Sequence, residues 1–202
     1  MPFPAIHFRI AELRGNGYDK KLLTAATLLP DLTTLNGVQR SISDRIHHTP
    51  SERWLELEGE WPELVEGVRL HMITDYEAEI SGWLFSCCER SHFNPLKRMD
   101  MTSVLEVGHD HSMAMLEPGL PRRISGTVKD IGPKYFSEPL GKILNEKSEA
   151  MERYLSRYFM LLHAYCTGLQ VTSMIPRGSN PYSLVRGVLK RAENKQHFPY
   201  YK

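Results

Sequence analysis

His71 and Asp75 stand four residues apart in the stretch Gly67-Val-Arg-Leu-His71-Met-Ile-Thr-Asp75. Leu64, Val68, Met72, Ile73, Tyr76 and Ile80 recur around them at helical spacing, so the imidazole and the carboxylate share one helix face, one turn apart. The flanking sequence is apolar through Trp83, Leu84 and Phe85, which marks the helix as buried. A buried imidazole or carboxylate is costly unless it is hydrogen-bonded or bound to a cation. The pair is therefore either an internal His–Asp hydrogen bond or a solvated stripe, or else two ligands of a metal. The same chemistry recurs along the chain in His7, Asp31, His47, His48, His109 and His111. Nitrogen and carboxylate ligands of this kind suit divalent zinc, manganese or iron. A two-metal phosphoester site needs several such ligands, a carboxylate able to bridge, and an open position for water.

In a helical protein, ligands to one site must come from separate elements, and the chain supplies these in order. A short amphipathic helix over Ala5–Leu13 carries His7 beside Ile6 and Ile10 and stops at Gly15-Asn16-Gly17. A second helix over Asp19–Leu29 ends at Leu28-Leu29-Pro30-Asp31, because the residue before a proline is biased out of the helical region. Asp31 is thereby delivered at the end of a buried apolar stretch. Residues 33–48 read as polar and irregular, which puts His47 and His48 on a loop before a helix start at Thr49-Pro50-Ser51-Glu52. The His71 helix is expected over Glu63–Arg90, another over Thr102–Leu116 with Gly108-His109-Asp110-His111 inside it, and a long one over Ser137–Thr167. Asn180–Glu193 reads as a last amphipathic helix. Residues 117–137 carry Pro118, Gly119, Pro121, Gly126, Gly132 and Pro133 and read as a long loop, a candidate lid. Its Arg122, Arg123 and Lys129 are candidate phosphate-binding residues. No segment alternates as a strand does, so the expected fold is all-α: a single-domain helical bundle over residues 1–202 enclosing a metal site.

The order of an N-terminal helix with His7, then Leu29-Pro30-Asp31, then His47 or His48, then Gly67-x-x-x-His71-x-x-x-Asp75 resembles the zinc-dependent phospholipase C family and its bacterial relatives. The resemblance covers roughly residues 1–90 and extends loosely to the histidines near 110. It implies an all-α fold, a cluster of two or three metals, and phosphoester hydrolysis in which hydroxide generated at the metal attacks phosphorus. Asp31 is then either a ligand or the general base. The His-to-Asp helix is similar, more distantly, to that of HD-type phosphohydrolases. That family pattern of the phospholipases adds a His-x-x-x-Glu pair, whereas His109 and His111 are followed four residues later by Met113 and Met115, so two ions are expected rather than three. A non-catalytic helical interaction protein with polar His/Asp core contacts is the alternative.

Composition narrows the partners. A net charge of +1 with 24% charged residues argues against a nucleic-acid surface or a polybasic membrane patch. The apolar runs are short of a membrane span, and Met1–His7 lacks a basic region followed by an apolar block. Cys87, Cys88 and Cys166 are odd in number and two are adjacent, which suits a reduced, cytoplasmic protein. The resemblance to phospholipases implies a small phosphorylated substrate. His163, in an apolar stretch, is expected to be a satisfied core histidine, and His92 and His197 surface residues.

Overall fold

The structure, a computed structural model, describes residues 4–31, 40–80 and 98–174. Nine helices carry them: α1 (Pro4–Arg14), α2 (Lys20–Ala26), α3 (Arg40–His48), α4 (Ser51–Leu55), α5 (Pro62–Ile80), α6 (Arg98–Leu116), α7 (Leu120–Ile131), α8 (Lys134–Leu144) and α9 (Ser148–Ser173). Among the described residues there is no strand, and the all-α expectation holds. None of these helices is long and apolar enough to cross a membrane. His92, Cys87, Cys88, His197 and the helix expected over 180–193 lie outside the described residues.

The central strut is α9, whose buried Met151, Leu155, Tyr158, Leu162, Tyr165 and Leu169 form a continuous stripe. Helices α6, α7 and α8 pack along it. Against this layer lies α2, which also packs on α5 and α1. One apolar core joins the two halves, running from Phe8, Leu28 and Leu29 through Ile46, Trp54 and Val68 to Ile124, Leu140 and Leu155.

Local chemistry explains the element ends. The Asp19 carboxylate accepts from the backbone N–H groups of Lys21 and Leu22 and caps α2. Gly15 ends α1 where a side chain would meet Leu23 at 2.8 Å and the Ala11 carbonyl at 2.9 Å. Three expectations are corrected. Residues 40–48 form α3, not irregular chain, so His47 and His48 occupy its last turn. Residues 120–131 form α7, not a lid loop: Pro121 sits in its first turn, and Leu120, Ile124 and Val128 are buried. The expected helix over 137–167 is two helices. Asn145 adopts the left-handed conformation at φ 54° and ends α8, and the Glu146 N–H donates to the Gly141 carbonyl at 2.9 Å.

Candidate metal centre

Helix α1 begins at Pro4 and buries Ala5, His7, Phe8 and Ala11, so His7 is on the inward face. Its first turn is held from across the protein. The Ala5 N–H, a donor without a partner within its own helix, donates to Asp110 Oδ1 at 3.3 Å. Tyr165 of α9 donates to the other oxygen at 2.7 Å. Asp31 follows Leu28, Leu29 and Pro30 in the turn beyond α2, and Tyr158 Oη donates to the Leu28 carbonyl at 2.5 Å. This bond fixes the turn that buries Asp31 to 2% exposure. His71 and Asp75 come from α5, His47 from the end of α3.

Helix α5 reaches α2 through Gly67. A Cβ there would sit 2.4 Å from Ala26 Cβ and 3.0 Å from Ala26 C and Thr27 N, so only glycine permits the approach. One turn later, His71 Nδ1 lies 2.7 Å from the Thr27 carbonyl. Because a carbonyl only accepts, Nδ1 carries the proton, and in the neutral ring Nε2 presents a bare lone pair. That atom is buried with no aligned hydrogen bond. It lies 3.2 Å from Asp75 Oδ2 and 3.9 Å from Asp31 Oδ1.

Five side chains converge. His7 Nε2 is 3.3 Å from Asp75 Oδ1 and 3.8 Å from Asp31 Oδ2. His47 Nε2 is 3.6 Å from Asp75 Oδ2. The His7 and His71 rings stack with centroids 3.8 Å apart, and His47 meets His71 edge-on. Two triads result, His7–Asp31–His71 and His47–His71–Asp75, and within each the candidate ligand atoms lie within 4.8 Å of one another. Burial pulls the His7 imidazole below its usual pKa, the neighbouring His71 adds to this, and Asp75 and Asp31 only partly oppose it. Burial pushes the Asp75 carboxyl up, but hydrogen bonding to His47, His7 and His71 outweighs it and holds the group well below the carboxylate range.

The donor set fits a divalent cation. The Nε2 of His71 faces two carboxylates, and the Nδ1 of His7 has no hydrogen-bond partner. Imidazole nitrogens and carboxylate oxygens gathered this closely out of water are stabilised by a shared positive charge. A ligating histidine whose other nitrogen donates to a backbone carbonyl is the usual arrangement at metal sites, and His71 with Thr27 has this arrangement.

The remaining candidates fall elsewhere. His48 is exposed, and His109 and His111 join neither triad. Burial lowers the His109 pKa. Arg123 is engaged bidentately by Glu12, at 2.9 and 3.2 Å, and bonds Glu117 at 2.7 Å. Arg122 is exposed beside Gln170, whose amide oxygen, turned toward the guanidinium, accepts at 2.7 Å. Lys129 is exposed at the edge of another cleft with Ser125 and His163. His163 is exposed, not core, and its Nδ1 pairs with Ser125 Oγ at 2.5 Å.

Asp110 is the residue that sequence reasoning passed over. Its neighbours His109 and His111 drew attention as ligands, yet Asp110 shares its helix face with Val107 and Ala114, and all three are buried. That spacing was the available signal. Burial pushes the Asp110 carboxyl up to about 8, against hydrogen bonds from Tyr165 and Ala5, with the Asp31 charge adding to the rise.

Comparison of the chain with protein-family models, curated proteins and solved structures finds no match.

Proposed function

We propose that the chain is a metal-dependent phosphoester hydrolase whose centre is built by His7, Asp31, His47, His71 and Asp75. One observation carries this reading: the Asp75 carboxylate is shared, with Oδ1 toward His7 and Oδ2 toward both His47 and His71. Asp75 would hold divalent ions together with these histidines, and zinc, manganese or iron are the candidates for such ligands. Such ions, when bound, polarise a phosphoryl oxygen and acidify water. The protein's own part is to hold the ligands. Thr27 fixes the tautomer and plane of His71, Tyr158 fixes the turn before Asp31, and Asp110 fixes the start of α1 below His7. Asp31 lies farther from the two histidines it shares with Asp75, at 3.8 and 3.9 Å, and as a carboxylate it could serve as a ligand or as a base that accepts a proton from water. The resemblance of the ligand order to zinc-dependent phospholipases C supports the same chemistry.

The test is zinc titration of metal-free protein with a calorimetric readout, followed by turnover of bis(p-nitrophenyl) phosphate. Binding of about two equivalents and zinc-dependent release of p-nitrophenol are expected. A stable protein that binds no divalent metal would instead make the cluster a polar core contact within a non-catalytic helical protein.

A further inference from the structure

A groove of about 240 Å³ opens beside His47, lined by Trp54, Leu55, Val65, Val68 and Met72 together with Thr49, Ser51 and Arg69. Its long wall is α5. Val68 and Met72 precede Asp75 by seven and three residues on the same side of that helix. At the rise of a helix, these two residues lie about 10.5 Å and about 4.5 Å below Asp75. The metal centre and the groove therefore share His47 at their junction and one helix as a common floor.

The lining is electrically quiet. Arg69 is gripped by both oxygens of Glu66 at 2.6 Å, so its charge is matched. Thr49 Oγ1 already donates to the Arg45 carbonyl at 2.6 Å. Leu55 is 58% exposed at the rim, whereas Trp54 is buried at 6%. Among the described lining residues the one fixed charge is that of Arg69, already paired with Glu66. The volume lies below the roughly 300–1,000 Å³ of pockets for drug-sized ligands, so the occupant is compact.

We infer that this groove takes a neutral, compact apolar group, a short alkyl chain or a single aromatic ring, on the phosphoester whose phosphate lies at the His/Asp cluster. The inference rests on the reading of the cluster as a metal-dependent phosphoester site, and it selects among substrates that reading leaves open. Nucleotides with further phosphates and charged head groups are disfavoured, and a long diacyl tail exceeds the space.

Hexylphosphonate and ethylphosphonate, which differ only in chain length and are not hydrolysed, separate the two ideas. Each is titrated into wild-type protein and Leu55→Glu, with zinc present and with zinc removed by chelator. Leu55 is exposed, so the variant is expected to fold, and circular dichroism checks this. Burying a methylene strengthens binding roughly 3–4-fold, so hexylphosphonate should bind wild type at least about 10-fold more tightly than ethylphosphonate. Leu55→Glu should erase most of that ratio. Equal affinity of the two phosphonates for wild type, or a ratio unchanged in the variant, overturns the groove. The response to zinc decides the metal reading separately: phosphonate affinity that ignores zinc counts against the metal, while the chain-length ratio still decides the groove.

Discussion

Replacing Gly67 with alanine tests whether the contact between α2 and α5 sets the geometry of the centre. The new Cβ would lie 2.4 Å from Ala26 Cβ, against an optimum of about 3.5–4.0 Å between carbons. The helices must separate by about 1 Å or more, because neither partner is a flexible side-chain end. Overpacking of this kind costs about 1–3 kcal/mol, and the better helix propensity of alanine returns up to about 1 kcal/mol. A net loss of about 1–2 kcal/mol lowers Tm by roughly 2–8 °C in a chain of this size. The effect on the site is larger than that on stability. Thr27 and Ala26 are adjacent, so separation stretches the 2.7 Å bond between the Thr27 carbonyl and His71 Nδ1. Losing such a support typically costs 10–100-fold in metal affinity. The assay is thermal unfolding with and without zinc, together with zinc titration calorimetry. Gly108→Ala is the control: its Cβ meets nothing within 4 Å, so that variant should gain about 0.5–1 kcal/mol. Ala26→Gly in the Gly67→Ala background should restore part of the zinc affinity. If Gly67→Ala melts with wild type and binds zinc within twofold of it, the proposed coupling between helix approach and ligand orientation is refuted.

Asp75→Asn keeps the shape of the shared carboxylate and removes its charge. Zinc at about 100 times its Kd should stabilise wild type by about 2.7 kcal/mol, a Tm rise of roughly 5–10 °C, and the variant should lose most of this; equal chelator shifts in both proteins would exclude Asp75 as a ligand. Asp110 has a pKa near 8 when folded and 3.8 as an ordinary carboxyl, so it binds more protons in the folded state. Its contribution to stability is fully present below about pH 4 and is lost as pH rises through 8, on the order of 5 kcal/mol in all; Asp110→Asn should flatten the denaturation profile of metal-free protein across that window, and an unchanged slope would count against a protonated Asp110. Tyr158→Phe removes the donor to the Leu28 carbonyl and should cost about 1–2 kcal/mol by urea denaturation, with weaker zinc binding, whereas unchanged affinity would mean that the turn before Asp31 needs no clamp. Arg123→Ala breaks a half-exposed ion-pair network and should cost about 1 kcal/mol or less with zinc affinity unchanged; a large loss of affinity would return Arg123 to the site.

The helices and their polar passengers differ in how openly the sequence declares them. Helices α1, α2 and α5 follow from apolar spacing, with Gly15 stopping α1; α2 ends at Ala26, short of the expected Leu29, yet His7, Asp31 and His71 still converge. Where two signals compete, composition misleads. The prolines and glycines of 118–133 suggest a loop, but Pro121 sits in a first turn where its missing N–H is harmless, and the Leu120, Ile124, Val128 stripe carries the helix. The break at Asn145 is hidden for the opposite reason, because apolar residues continue at helical spacing on both sides and a single left-handed residue ends α8. Asp110 is invisible to ligand hunting since its partners, Ala5 N–H and Tyr165, are 105 and 55 residues away. His163 falls on the outer side of α9 although its neighbours are apolar, for Leu161, Leu162, Tyr165 and Cys166 share the inward arc without it.

The Tyr158 clamp on Leu28 spans 130 residues, and this has a consequence for biosynthesis. All five acceptors have been translated by residue 75, long before the helix that steadies Asp31 exists. A growing chain therefore offers loose imidazoles and carboxylates, and loose ligands follow the intrinsic affinity series that favours copper over zinc, iron or manganese. On the proposed metal reading, discrimination by geometry would wait until α9 docks. The choice of ion would then depend on a helix translated after every candidate ligand, and premature capture of the wrong ion would be the hazard of that order.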